Sequence, residues 1–278
     1  MMQKRLSVQK KAFTGGSVQL SRLEPFMLSL RYGPVQRRMK TNHMKMIQPN
    51  CRIQFNASDI DFITIVLAQE GQSATIRALL SDDSCRDSIL DDRRLYDAIL
   101  EQRGCLSISS HLYFYVLVRH SLLRMGVQDR PVADYVAELL SEFSRTEQSR
   151  CCIPGQAQPL EYFFEMLGAL QTSNDYQCFC LRTYMANLAL FTSGLFKERI
   201  EARAERRGFP GLRYYQDMGR MNYRVASHHR LARKFELGSV LETLSEKFEP
   251  TRCALNDLSE RILFLNDPQV SGWQAFLN

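Results

Sequence analysis

The sequence predicts an all-α fold, a multi-helix globule or bundle preceded by a basic and flexible N-terminal tail. Three observations carry that prediction. Apolar residues recur at spacings of three and four between residues suited to capping helices. No stretch after residue 50 alternates apolar and polar with period two, and no Asn-Gly or Asp-Gly pair is present to close a tight hairpin. Residues 1–52 form the tail and residues 53–278 one helical domain. Pro154, Gly155 and Pro159 make the 144–158 loop the expected place for any sub-boundary.

Residues 1–50 hold ten Lys and Arg against a single acid, Glu24. Within them Leu20, Leu23, Phe26, Met27 and Leu30 keep helical spacing. Such a segment fits a disordered tail, a start set upstream of Met44 or Met46, or an arginine-bearing mitochondrial transit segment. It lacks the apolar core and small-residue cleavage site of a secretory signal.

Order is expected from Ser58, which suits an N-cap with Asp59 and Asp61 in the first turn and an apolar run ending before Gly71. Residues 73–80 continue as a second helix, and 91–102 as a third with Leu95, Ile99 and Leu100 inward. The first two, turning at Gly71, also outline a helix-turn-helix. Residues 109–125 begin with two serines and are apolar throughout 112–118, the mark of a buried helix. Pro131 then suits a helix first turn, followed by Val132, Tyr135, Val136, Leu139, Leu140 and Phe143 at strict helical spacing. Residues 159–170 form a shorter helix. Residues 176–196 are apolar on nearly every side, as a helix enclosed by its neighbours should be. Residues 237–248 and 251–264 close the fold, separated at Pro250.

Eight cysteines form no C-x-x-C pair, and no histidine pair stands near them at zinc-site spacing, so reduced thiols in a cytoplasmic protein are expected. Arg182 and Asn187 make the 176–196 run too polar for a membrane span. The phosphate-binding, dinucleotide, nucleophile-elbow and H-E-x-x-H signatures are absent. Glu161 and Glu165 share a helix face but lack the Glu-x-x-His partner of a di-iron site, so no metal or other cofactor is expected.

The net charge of +6 is unevenly placed. Residues 195–235 carry eleven basic and four acidic groups, whereas the rest of the chain after residue 50 is net acidic. Arg199, Arg203, Arg206 and Arg207 fall on one side of a helix over 197–207, and none has a glutamate three or four residues before it. The helix expected over 212–235 places Arg213, Arg220 and Arg224 in a narrow arc around Asp217, with Tyr214, Met218, Met221 and Val225 as its inward arc. Gly219 and Ala226 offer a close helix approach, and Arg230, Arg233 and Lys234 suit the C-terminal end.

An unrelieved arginine row points to a non-enzymatic regulatory or scaffolding module that binds an acidic protein surface, in another protein or a second copy of the chain. The residues expected to meet that partner are Arg199, Arg203, Arg206, Arg207, Arg213, Arg220, Arg224, Tyr215, Tyr223 and Arg230. The same arginines with tyrosines for base stacking suit nucleic acid as the alternative. A third is an enzyme or cofactor protein with a site between the central helices.

Overall fold

The computed structural model describes residues 46–69, 71–101, 108–144, 151, 159–160 and 162–265. Residues 1–45 of the tail, with the 18–32 stretch, most of the 144–158 loop and Glu161 lie outside them. Residues 46–52, assigned to the tail, are described, with Ile47 and Cys51 buried in the core. Among the described residues the chain is all-helical: a 3-10 turn, Cys51–Gln54, and thirteen α-helices, with one isolated bridge between Cys151 and Leu160.

α1 (Ala57–Leu67) starts at Asn56 rather than Ser58. Asn56 Oδ1 accepts from the Asp59 backbone N–H at 3.0 Å and Asp59 returns the bond to Asn56 at 2.9 Å, a capping box. The buried Asp59 carboxylate also accepts from Ser109 N–H and Oγ at 2.7 Å, and Ser109 Oγ in turn caps the Leu112 N–H. One carboxylate thus fixes the starts of α1 and α5 (Ser110–Arg124) together.

Between them lie α2 (Ser73–Leu80), α3 (Asp83–Leu90) and α4 (Arg93–Glu101). The spacing of apolar residues did not predict α3. It forms because Asp82 accepts from the Cys85 N–H at 2.9 Å, an N-cap in an otherwise polar segment. The single cation of α2, Arg77, is held by Asp61 at 2.6 Å. With Asp82 and Asp83 following directly, the α1–α2 pair presents no basic recognition helix.

α6 (Arg130–Phe143) is capped by Asp129 with Pro131 in its first turn, and every residue from Val132 to Phe143 is buried, Asp134, Glu138 and Glu142 included. The acids are tolerated because a network meets them. Asp134 accepts from the Arg52 backbone at 2.9 Å, Glu138 from Gln54 at 2.9 Å, and Arg52 bonds Asp87. Arg119 grips Asp91 with two bonds of 2.8 and 3.0 Å, and Arg130 adds a third at 2.6 Å.

α7 (Phe163–Ala169) is shorter than expected. α8 (Asp175–Leu195) opens with an Asn174–Gln177 capping box and is the central helix, packing against α7, α9 (Lys197–Arg207), α10 (Leu212–Ser227) and α13 (Phe248–Leu265). Phe143 packs its ring at a tilt against Tyr184 and Phe191 at centroid distances of 5.9 and 5.2 Å, joining α6 to α8. At the crossing of α6, α8 and α10, Asn187 Oδ1 accepts from both Tyr135 and Tyr223, at 3.0 and 2.7 Å. A Cβ on Gly219 would meet the buried Phe248 ring at 2.1 Å, so the expected close approach is made there, between α10 and α13.

The helix expected over 212–235 is broken. Ser227 Oγ and His228 Nδ1 both engage the Arg224 carbonyl, at 2.9 and 3.0 Å, and His229 caps a separate α11 (Arg230–Lys234) through the Leu231 N–H. α12 (Gly238–Glu246) follows, and the last break falls at Lys247. Pro250 instead sits in the first turn of α13, where its missing N–H leaves no bond unmade.

Candidate functional site

α9 is built almost entirely of strong helix formers and stops at Gly208, whose φ of 64° is the left-handed conformation that ends helices. Its buried residue is Ile200, so the helix lies on the periphery, against α8 and α10. At about 100° per residue the four arginines occupy one flank, and Glu198, Glu201 and Glu205 the other. Arg203, Arg206 and Arg207 are exposed, and no carboxylate of the described residues lies within ion-pair distance of them. Arg203 stands over the Phe209 ring at 5.0 Å, a cation–π contact that holds its guanidinium without neutralising it. Arg199 is half-buried and is engaged within the fold.

α10 corrects the expected orientation. Tyr223 is fully buried, its hydroxyl donated to Asn187, so it belongs to the core and not to a partner surface. Tyr214, Met221 and Val225 face outward, exposed by 38%, 47% and 47%, and of the expected inward arc only Met218 is buried. The inner arc is Met218, Gly219, Asn222, Tyr223 and Ala226. Asn222 is satisfied there, accepting from Arg182 at 3.0 Å and donating to the Met218 carbonyl at 2.8 Å.

Tyr215 is half-buried against Phe163, centroids 5.9 Å apart, and burial pushes its hydroxyl pKa up, opposed by the nearby Arg203 charge. Phe163 also touches Tyr214 at 6.0 Å. Its two neighbours, Tyr162 and Phe164, stack on each other at 5.5 Å and are exposed by 57% and 70%. Three consecutive rings cannot all face inward from one helix start, and that is the signal in the sequence that marks this patch. The result is a continuous surface of rings and guanidiniums running from α7 across the start of α10 to Phe209 and the α9 arginines.

The remaining predicted residues divide. Arg213 pairs with Asp217 at 3.8 Å, both well exposed, a contact worth little in water. Arg220 and Arg224 line a cleft of about 180 Å³ with Ser227, His228, Glu242, Ser245 and Glu246, and no carboxylate of the described residues comes within pairing distance of either. Arg230 is answered within the fold: it binds Asp175 at 2.6 Å, and this bond, more than any other contact, holds the Asp175 carboxyl below its usual pKa. The structure thus brings Arg203, Arg206, Arg207 and Tyr215 toward one surface. It sets Arg213, Arg220 and Arg224 on another flank of α10, places Tyr223 in the core and pairs the exposed Arg230 with Asp175.

Burial pushes the Cys51 and Cys180 thiols up, away from thiolate, and burial lowers His120. Among the described residues no group of three or more His, Cys, Asp or Glu is placed to hold a metal ion, and no helix is long and apolar enough to cross a membrane. Comparison with protein-family models, with curated proteins and with solved structures finds no match.

Proposed function

We propose that the protein is a binding module whose basic face, the α9 arginines with the aromatic patch beside them, docks an acidic surface of another protein. The observation that carries it is the set of three exposed guanidiniums, Arg203, Arg206 and Arg207, without carboxylate partners among the described residues and adjoining exposed rings. Arginine and tyrosine are the residues that most often dominate binding energy at protein interfaces. A contiguous apolar patch rimmed by charge is likewise a common mark of such an interface. The glutamate flank of α9 disfavours a polyphosphate lying across that helix and is tolerable for a protein whose charges are mixed.

The exposed Tyr162 and Phe164 rings support a second reading, single-stranded nucleic acid stacked on them beside arginine. A glutamate–tyrosine copolymer and poly(U), titrated against the full chain, separate the two. The protein reading expects copolymer binding that Arg203→Gln/Arg206→Gln/Arg207→Gln weakens, with poly(U) bound weakly or not at all. Tight poly(U) binding that falls steeply with salt would instead favour nucleic acid. Copolymer binding unchanged by the triple substitution would remove α9 from the interface.

A further inference from the structure

We infer that the partner contributes an amphipathic helix with an acidic flank, and that this helix lies along the outer face of α10. The inference presupposes the basic docking face proposed above and adds the kind of element it receives.

Tyr214, Met218, Met221 and Val225 follow one another at steps of four, three and four, the repeat by which one helix offers a seam to another. Met218 is buried by the protein's own fold, whereas the other three stand 38% to 47% exposed, in line along the helix. At the N-terminal end Phe163 continues the row by touching Tyr214. Arg213, Arg220 and Arg224 repeat the positions of Tyr214, Met221 and Val225 one residue earlier, so a guanidinium flanks each exposed apolar side chain on the same side. On the other side, near the start of α10, the Arg203 charge reaches the Tyr215 hydroxyl. The opposing acids are Asp217, 3.8 Å from Arg213, and Glu242 and Glu246 across the cleft from Arg220 and Arg224, beyond pairing distance. The flank remains basic, and it selects a helix that carries acids beside its apolar row.

Geometry disfavours a second copy of α10 as the occupant. Two antiparallel helices related by a twofold axis bring the same flank of each to the same side of the seam, so Arg213, Arg220 and Arg224 would meet their own counterparts. A parallel pairing would set them against the flank that carries Tyr215 and Asn222, which holds α10 on its own fold and has no acid to offer.

The test uses the full chain and a synthetic helical peptide of about five turns, with leucines at alternating steps of three and four and glutamates on the flanks. Its controls are the same composition with leucine positions scrambled, the same repeat with lysine for glutamate, and oligo(U). Fluorescence anisotropy should show binding of the first peptide only. Met221→Asp/Val225→Asp should weaken it by about tenfold or more, the loss of a principal anchor. Both positions are exposed, and far-UV circular dichroism confirms the fold. The milder Met221→Gln/Val225→Thr should give a smaller loss in the same direction. Equal binding of the scrambled acidic peptide, unaffected by Met221→Asp/Val225→Asp, would overturn the seam and leave the basic face standing. Failure of every acidic peptide to bind would overturn both. Oligo(U) binding abolished by those substitutions, or a stable dimer of the chain that they split, would overturn the foreign helix in favour of nucleic acid or a second copy.

Discussion

Replacing Asn187 by alanine removes the one acceptor that serves both Tyr135 and Tyr223, whose hydroxyls reach Oδ1 over 3.0 and 2.7 Å. All three side chains are buried, so water does not substitute for the lost partner. An orphaned buried hydroxyl costs about 1–3 kcal/mol, and two cost about 2–6 kcal/mol. The shortened side chain adds a packing loss of about 1 kcal/mol. Urea unfolding followed by far-UV circular dichroism reads the sum. With a slope of about 2–3 kcal/mol per molar urea, the midpoint should fall by about 1–3 M. The control is the same substitution in a Tyr135→Phe/Tyr223→Phe background, where no hydroxyl remains to be orphaned and the packing loss alone survives. There the fall should be under about 0.5 M. Equal falls in the two backgrounds would refute the shared acceptor as the link between α6, α8 and α10.

Gly219→Ala should destabilise by about 1–3 kcal/mol in a thermal melt, against the usual gain of about 1 kcal/mol for that change inside a helix, because the added Cβ would sit 2.1 Å from the Phe248 ring. Arg52→Ala should cost about 3–5 kcal/mol in the same assay, since it strips the buried Asp134 of its cation. Burial raises the Asp91 carboxyl pKa, but hydrogen bonds from Arg119 and Arg130 outweigh it and hold the group below its usual value. A carboxyl depressed by folding stabilises above its unfolded pKa, about 3.9, and loses that contribution as pH falls through the lower folded value. Urea midpoints taken down through about pH 4 should therefore fall more steeply for the parent chain than for Asp91→Asn. Arg203→Gln/Arg206→Gln/Arg207→Gln should leave the melting free energy within about 0.5 kcal/mol, as for solvated side chains, and a larger loss would mean that those groups support the fold.

The helical class and most helix positions were legible because caps and apolar spacing are local. Asn174, Ser109 and Asp129 all cap helices that the periodicity had placed. α3 was not legible, since its polar sequence is held by a single cap and by tertiary packing of Leu90. The break at His228 escaped for the opposite reason: the apolar period runs on through it, and the interruption is made by side chains that bind the last-turn carbonyl. Arg119 and Arg206 show why the site was only half readable. Both are arginines in helices, yet Arg119 is buried on Asp91, a partner 28 residues away, and Arg206 meets no carboxylate among the described residues. Pairing of that kind is a property of the folded chain, and spacing within one helix does not reveal it.

α10 carries the sharper lesson, because it has two arcs fit for burial and the less apolar one went inside. Hydrophobicity alone favours Tyr214, Met221 and Val225. Shape and hydrogen bonding favoured Gly219, which admits the Phe248 ring, and Tyr223 and Asn222, whose polar atoms find Asn187 and Arg182. A helix that satisfies polar side chains in the core while leaving Met221 and Val225 half in water gains less for its own stability from the outer row than full burial would give. Those two side chains, set in register with Arg220 and Arg224, are apolar surface that folding leaves half in water, and under the proposed docking they are what the partner helix would cover.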